Sequence, residues 1–272
     1  MGRMSSKTAA AIEAGGGSAL VAYLPVGFPD PDTCVEAVVA VAEAGFRVIE
    51  LGIPYSDPGM DGPVIQAATQ EVLDTGFDLQ TVFDTVQAVT ERTDAAVLTM
   101  TYWNPILQYG VDRFARKFAA AGGAGLITPD LTPENAGEWL TAAERYDLDP
   151  IFLAAPSSTD ARLASAVQHS RGFVYTVSTM GTTGARGDMD AAARRLAGRI
   201  GEAGQRLGKP IARCVGLGIS KPDHVRDVLS YAEGAIVGSA LVTALREGGV
   251  AGVAEKAAEL VSGLPSASDS VS

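Results

Sequence analysis

Eight short apolar runs, each followed by a stretch with helical periodicity, constrain the fold of this chain more than any other feature. Their apolar character is nearly continuous instead of alternating, which is typical of strands that are covered on both faces of a parallel sheet. Dividing 272 residues by eight runs gives 34 residues per unit, which is enough for a strand, a crossover and a helix. The runs span residues 19–26, 47–53, 96–102, 125–130, 150–155, 173–178, 211–218 and 234–240.

This repetition predicts an α/β fold, a single (β/α)8 TIM barrel. The longest gap, between the second and third runs, contains two helical stretches, 63–76 and 79–93, so we expect an extra helix on the loop after strand 2. A doubly wound open sheet is the alternative, but no GxGxxG motif follows the first run, where a dinucleotide site would need it. No Pro-rich or Ser-rich linker divides the chain. We therefore expect an N-terminal helical extension over 1–17, one barrel domain over 18–262 and a disordered tail over 263–272.

The charge balance and the apolar runs exclude several function classes. Lys and Arg number 21 and Asp and Glu number 32, a net charge of −11 that disfavours general nucleic-acid binding. No run is long enough to span a membrane, and Glu13 and the glycines that follow it interrupt any signal-peptide core. The sequence therefore predicts a cytoplasmic protein that binds neither nucleic acid nor membrane.

The cysteines and histidines show no pattern of a redox or metal site. Cys34 and Cys214 lie far apart in apolar stretches, which suits buried core residues in a reducing compartment better than a disulfide. His169 and His224 lie on expected helices without a second metal ligand at a usable spacing. We expect no metal centre, and no GxSxG motif indicates covalent catalysis.

Carboxylates near the end of the second run are the first candidates for chemistry, because barrel active sites lie at the C-terminal ends of the strands. Glu50 lies inside the apolar run, where an acid is costly unless it has a partner or a task. A structural ion pair or a hydrogen-bonded core acid is the alternative for Glu50. Asp57 and Asp61 follow on the next loop, where turn formation would also explain them. Together, a strand acid and a loop acid suit general acid/base catalysis with divided roles.

Glycine-rich segments, one after the sixth run and two at the ends of the seventh and eighth runs, form a second group of candidates. They are residues 181–185, 216–220 and 238–239, which include Gly184, Gly218, Gly238 and Ser239. Backbone N–H groups at helix N-termini bind anions, and barrels often place a phosphate after strands 7 and 8. Tight turns would use the same residues, but three such segments in one barrel favour phosphate binding.

Tyrosines in three runs could line an apolar pocket for a flat substrate. Tyr23, Tyr102 and Tyr175 lie in the first, third and sixth runs. Most aromatic residues in strands belong to the core, and that alternative stays open for each of them.

The segment 49–63, IELGIPYSDPGMDGP, resembles the signature of tryptophan synthase alpha subunits, LELG(I/V)P(F/Y)SDPxxDGP. Further motifs of that family occur in the same order, among them PVGFP at 25–29, YWNP at 102–105, GTTGA at 181–185 and GSA at 238–240. The resemblance extends from about residue 18 to about residue 260. One departure is Met60, which stands where Ala or Val is more usual.

The resemblance implies retro-aldol cleavage of indole-3-glycerol phosphate to indole and D-glyceraldehyde 3-phosphate, in tryptophan biosynthesis. By resemblance, Glu50 is the acid/base and Asp61 stabilises charge at the indole N–H. Tyr23, which stands where Phe is common, Tyr102 and Tyr175 are expected to contact the substrate, and Thr183 lies on a loop expected to close over it and approach Asp61. Gly184, Gly218, Gly238 and Ser239 match the phosphate site.

The resemblance also implies a partner, a beta subunit that contains pyridoxal phosphate and receives indole within an α2β2 assembly. No cofactor is expected in this chain. Asp57, Asn104 and Pro105, the last two expected on a loop, match the partner interface. Two rival functions are another phosphosugar-binding barrel, which the Glu50 and Asp61 signature argues against, and a catalytically idle subunit that only activates its partner. An intact pair of acids with an intact phosphate site favours activity.

Overall fold

A computed structural model describes residues 6–177 and 186–265. The expectations for Thr183 and Gly184, for residues 1–5 of the extension and for residues 266–272 of the tail lie outside the described residues.

Parallel strands of near-continuous apolar sequence form the centre of the molecule, as the eight runs predict. Each strand pairs in parallel with its neighbours in the order β5-β4-β3-β2-β1-β9-β8-β7-β6. The strands are β1 Ala19–Pro25, β2 Val48–Gly52, β3 Ala96–Met100, β4 Gly125–Ile127, β5 Asp149–Ile151, β6 Leu153–Ala154, β7 Phe173–Val177, β8 Ala212–Gly216 and β9 Gly234–Val237.

The fifth run forms two short strands instead of the single strand expected from its sequence. β5 pairs with β4, and β6 pairs with β7, so the run closes the barrel by changing partner at Phe152. The N–H of Phe152 donates to Ser170 Oγ at 3.1 Å instead of to a neighbouring strand, which interrupts the ladder there. Its carbonyl accepts from the Tyr175 N–H at 3.0 Å, and the strand count rises by one while the barrel stays closed.

Helices surround the barrel and include the extra helix expected after strand 2, which is α3. The α-helices within the described residues are α1 Lys7–Ala14, α2 Pro31–Ala44, α3 Pro63–Asp74, α4 Gln80–Thr90, α5 Trp103–Tyr109, α6 Val111–Ala120, α7 Gly137–Tyr146, α8 Asp160–His169, α9 Arg186–Arg206, α10 Pro222–Leu229 and α11 Ser239–Val261, and a short 3-10 helix spans Pro133–Asn135. Of these helices, none is long and apolar enough to cross a membrane.

A second extra helix, α5, was not expected, and it corrects the placement of Asn104 and Pro105 on a loop. Both residues lie in the first turn of α5, where a proline is tolerated because its nitrogen would have no intrahelical acceptor. The Asp130 carboxylate accepts the Trp103 N–H at 2.9 and 3.1 Å and so stabilises the start of the helix.

The N-terminal end of the barrel is closed by α1. Ile12 of α1 belongs to the buried cluster that fills the barrel interior together with residues such as Val48, Leu98, Phe173 and Cys214. The buried Asp149, 1% exposed, accepts hydrogen bonds from Ser6 Oγ at 2.7 Å and from the Thr8 N–H at 3.1 Å. Its other oxygen lies 3.2 Å from Arg171 Nε. Polar contacts thus tie α1 to β5 below an apolar interior, and the opposite end of the barrel is left for a site.

Candidate active site

A cavity of about 330 Å³ opens at the C-terminal ends of the strands. This volume lies in the range of small-molecule sites, roughly 300 to 1,000 Å³. Its lining includes residues from β1, β7 and the segments that follow β2, β8 and β9. Six of the residues singled out from the sequence meet there: Tyr23, Asp61, Tyr175, Gly218, Gly238 and Ser239.

Glu50 lies in the middle of β2 and is 0% exposed. Within the described part of the chain, neither of its carboxylate oxygens has a hydrogen-bond partner. The ion pair or hydrogen-bonded core acid considered from the sequence is therefore not formed with any described residue. Burial raises the pKa of Glu50 from 4.5 to about 8, because the apolar surroundings disfavour the charged form. At neutral pH Glu50 thus holds a proton that it can give and take back.

Asp61 lies on the loop between β2 and α3, and it is partly buried at the cavity wall. Its N–H donates to the Pro58 carbonyl at 3.1 Å, so the residue also forms the turn that the sequence suggested. Burial raises the pKa of Asp61 from 3.8 to about 6. At neutral pH Asp61 is therefore ionised while Glu50 is protonated, which is the division of roles that an acid/base pair requires.

Tyr23 lies beside Glu50 in the register of β1 and β2, and its ring reaches over the end of β2. A Cβ atom on Gly52 would lie 2.1 Å from Tyr23 Oη, so the phenol occupies space that only a glycine leaves free. Burial, and next the charges of Asp61 and Glu50, raise the pKa of Tyr23 well above its ordinary value. Its hydroxyl is thus a neutral donor near both acids.

The other two tyrosines occupy different positions around the site. Tyr175 lines the cavity, and burial followed by the charge of Glu50 raises its pKa well above the ordinary value. Tyr102 stands beside the loop that carries Asp61, with its ring stacked on Tyr55 at 4.9 Å between centroids. Its hydroxyl accepts the Met60 N–H at 2.8 Å. The structure therefore places Tyr102 against the loop and Tyr175 in the cavity itself.

The glycine-rich segments after β8 and β9 meet at one edge of the cavity. Gly218 has a φ of +61°, a left-handed conformation that favours glycine. Gly238 precedes α11, and Ser239 is its first residue. The first N–H groups of a helix have no intrahelical acceptor and lie at the positive end of its dipole. This edge can therefore hold an anion such as a phosphate.

The residues matched to the partner interface lie on the surface next to the cavity. Asp57 is exposed, and Ser56 Oγ donates to its carboxylate at 2.6 Å. On α5, Asn104 is exposed, Pro105 is partly exposed, and Leu107 is 49% exposed.

Sequence reasoning missed the apolar part of the cavity wall. The described structure adds Met60, Ile65, Met100, Val177 and Ile236. Alternation along the strands was the signal that could have indicated Met100, Val177 and Ile236, because each follows at an even spacing from an inward-facing residue. Ile65 of α3 gave no such signal. Together these residues give the cavity an apolar wall beside two acids and an anion site.

Comparison with known proteins gives consistent results over almost the whole chain. Residues 9–266 match the family model described as tryptophan synthase alpha chain. The tryptophan synthase alpha chain of Leifsonia xyli subsp. xyli is 62% identical over 245 residues, which cover 90% of this chain and 92% of the relative. That of Mycobacterium avium is 51% identical over 247 residues, covering 91% and 89%.

Solved structures show the same similarity at the level of the fold. A chain of Mycobacterium tuberculosis tryptophan synthase superposes with a TM-score of 0.88 at 46% identity, covering 96% of this chain and 99% of that one. A chain from the tryptophan synthase α2β2 complex of Pyrococcus furiosus superposes with a TM-score of 0.81 at 36% identity, covering 89% and 97%.

Proposed function

The chain belongs to the tryptophan synthase alpha chain family, and from this premise we propose how its individual residues carry out the reaction. The chain is a lyase of tryptophan biosynthesis that cleaves indole-3-glycerol phosphate to indole and glyceraldehyde 3-phosphate and works with a beta subunit. The observation that carries the residue assignments is that Glu50 is buried without a hydrogen-bond partner among the described residues, beside Tyr23, which lines the same cavity as Asp61.

Glu50 is the acid and then the base of the proposed mechanism. Its proton goes to C3 of the indole ring, which makes the ring an electron sink. The resulting carboxylate takes the proton of the glycerol hydroxyl next to the ring, the C–C bond breaks, and its electron pair returns to the ring. The products are neutral indole and an aldehyde, and Glu50 regains its proton. A pKa of about 8 suits this exchange, because the ideal acid/base titrates near the working pH.

Asp61 stabilises the intermediate in which C3 is protonated. In that species positive charge reaches the ring nitrogen, and an anion placed at the N–H interacts more strongly with it than with the neutral substrate. Selective stabilisation of this kind raises the rate of the chemical step. With a pKa of about 6, Asp61 supplies the anion at neutral pH.

The remaining assignments concern binding. Gly218, Gly238 and Ser239 hold the phosphate, supported by their place at the N-terminus of α11 and the adjoining cavity edge. Tyr23, Tyr102 and Tyr175 contact the substrate. Gly184 for the phosphate and Thr183 for a loop that closes over the substrate rest on the family resemblance alone.

Partner, cofactor and compartment complete the proposal. Asp57, Asn104 and Pro105 contact the beta subunit, as the family resemblance implies, and their position on the surface leaves them accessible to it. Pyridoxal phosphate belongs to the beta subunit, this chain needs no cofactor, and the assembly works in the cytoplasm. Residues 1–17 form an extension, 18–262 the barrel domain and 263–272 a tail.

The test is to incubate the purified chain with indole-3-glycerol phosphate, alone and with a beta subunit, and to measure indole. We expect slow release from the chain alone and faster release from the complex. No indole in either sample, together with a faster beta reaction, would support the idle-subunit alternative and contradict catalysis by Glu50 and Asp61.

A further inference from the structure

The loop that carries Asp61, residues 57–62 and hereafter the Asp61 loop, is held through its backbone by side chains from two other segments. Gln66 Nε2 donates to the Asp61 carbonyl at 2.8 Å and to the Pro58 carbonyl at 3.3 Å. On the other side, Tyr102 Oη accepts the Met60 N–H at 2.8 Å. Three backbone groups of four consecutive residues are thus bonded to side chains outside the loop.

Gln66 is placed for this contact by the helix that follows the loop. Gly62 is the N-cap of α3, and the Gln66 N–H donates to the Gly62 carbonyl at 2.9 Å, so the side chain starts one turn into a regular helix. Its amide turns back toward the loop. Two carbonyl oxygens can be satisfied only by the NH2 group, which fixes the orientation of the amide.

The next glutamine on the same face of α3 behaves differently. Gln70 Nε2 donates to Asp74 Oδ1 at 2.8 Å, a contact within the helix that reaches no loop. Both glutamines are exposed, so neither is held in place by the core. The difference between them lies in what the amide bonds.

We propose that Gln66 is a positioning residue for Asp61: by bonding the carbonyl groups at both ends of the 58–61 turn, it fixes the direction in which the Asp61 carboxylate enters the cavity. This inference rests on the catalytic role proposed for Asp61. Ordering the turn in the free protein means that it need not be ordered in each catalytic cycle, which favours the chemical step over binding.

The first test replaces Gln66 by a side chain of similar length without donors. Gln66→Met should lower kcat for indole release roughly tenfold, as expected for losing one or two hydrogen bonds. KM should change less than about twofold, since the phosphate edge of the cavity is untouched. The matched control is Gln70→Met on the same helix, which should leave both constants unchanged.

The pH profile and a donor-restoring variant separate positioning from a general structural effect. Burial raises the pKa of Asp61 to about 6. In Gln66→Met the loop is less ordered and water reaches Asp61, which lowers the pKa of its carboxyl group. The acid limb of the pH profile of kcat should therefore move to lower pH in this variant. Gln66→Lys, whose ammonium can donate to both carbonyl groups, should recover kcat to within about threefold of the wild type. A Lys variant as slow as the Met variant contradicts the proposal.

A double-mutant cycle decides whether Gln66 acts through Asp61. In the Asp61→Asn background, Gln66→Met should lower kcat by less than about twofold, since the group that it positions is already lost. An undiminished tenfold effect would overturn the inference. If Asp61→Asn alone lowers kcat strongly and Gln66→Met does not, only the positioning role fails. If Asp61→Asn is fully active, the proposed role of Asp61 fails, and the positioning role fails with it.

Discussion

Among the described residues, each end of the barrel buries one carboxylate, and the contacts of the two carboxylates differ. At the N-terminal end, Asp149 meets Ser6, Thr8 and Arg171. Toward the C-terminal mouth, Glu50 is equally buried but has no hydrogen-bond partner among the residues that the structure describes. The same chemical group therefore fastens a helix at one end and remains available for proton transfer at the other.

The comparison teaches that burial alone does not identify a catalytic acid. A buried carboxylate that accepts hydrogen bonds contributes to the fold, whereas a buried carboxylate without partners costs stability and favours its protonated form. Functional sites are where such a cost persists. Substitution of Glu50 should accordingly lower activity, whereas substitution of Asp149 should lower stability and spare activity.

The largest expected effect is on turnover at the mouth. Glu50→Gln keeps the shape of the side chain but cannot give or take the proton, so kcat for indole release should fall roughly a thousandfold. Substrate binding should remain detectable by calorimetry. Glu36→Gln on the surface of α2 is the control and should leave kcat unchanged. Near-normal turnover of Glu50→Gln would contradict the acid/base assignment.

The next effect is the pH dependence of stability that Glu50 causes. Its pKa is 4.5 when unperturbed and about 8 in the fold, so between these values the unfolded chain releases a proton that the folded chain retains. Its stabilising contribution is complete below pH 4.5 and is lost as the pH rises toward 8. From pH 5 to pH 8, the free energy of unfolding of wild type should fall relative to that of Glu50→Gln by about 3 kcal/mol. The free energies of unfolding are measured with urea at each pH. If those of the two proteins change with pH in the same way, the pKa of Glu50 is not raised in the fold.

At the other end, Asp149→Asn should lower stability and spare activity. The amide presents an NH2 group where the carboxylate faces hydrogen-bond donors, and Arg171 loses an opposite charge. We expect a loss of about 2 kcal/mol in the free energy of unfolding, measured with urea, and a kcat within twofold of wild type. The matched control is Asp147→Asn, because Asp147 contacts the same arginine from a more exposed position at 3.0 Å. That variant should cost less than about 1 kcal/mol. Equal losses of stability in the two variants would mean that the buried Asp149 contributes no more to the fold than the more exposed Asp147.

The smallest effect concerns the hydroxyl of Tyr102 at the mouth. Tyr102→Phe keeps the stacking on Tyr55 but removes the acceptor of the Met60 N–H. A loss of one neutral hydrogen bond corresponds to roughly a fivefold fall in kcat, with stability changed by less than about 1 kcal/mol. Tyr109→Phe, at the end of the helix that follows Tyr102, should change neither quantity. A stability loss in Tyr102→Phe as large as that in Asp149→Asn would mean that the mouth, like the closed end, is built for stability.

Much of this fold could be predicted from the sequence, because a parallel barrel repeats one pattern eight times and brings all strand ends to one edge. That geometry brings Asp61 to the same cavity as Gly218 and Gly238, which lie more than 150 residues further along the chain. Two features escaped prediction because distant side chains decide them. The break at Phe152 depends on Ser170, and the start of α5 depends on Asp130, 27 residues beyond Trp103.

Gln66 escaped prediction for a related reason. Its position in the helical pattern of α3 indicates only that it is exposed, and exposure is the ordinary environment of a glutamine. The bonds to Pro58 and Asp61 arise from the angle at which the loop enters the helix. Periodicity describes which face a residue occupies, and it carries no information about a loop that folds back over that face.

The missing side chain of Gly52 has a consequence for how this site can evolve. Because Tyr23 Oη occupies the volume of a Cβ at position 52, the residues that can stand at positions 23 and 52 depend on each other. A methyl group at position 52 therefore requires the Tyr23 ring to move or residue 23 to become smaller, so a substitution at one position changes which residues fit at the other. This dependence lies two residues along the strand from Glu50, the acid to which we assign the proton transfer.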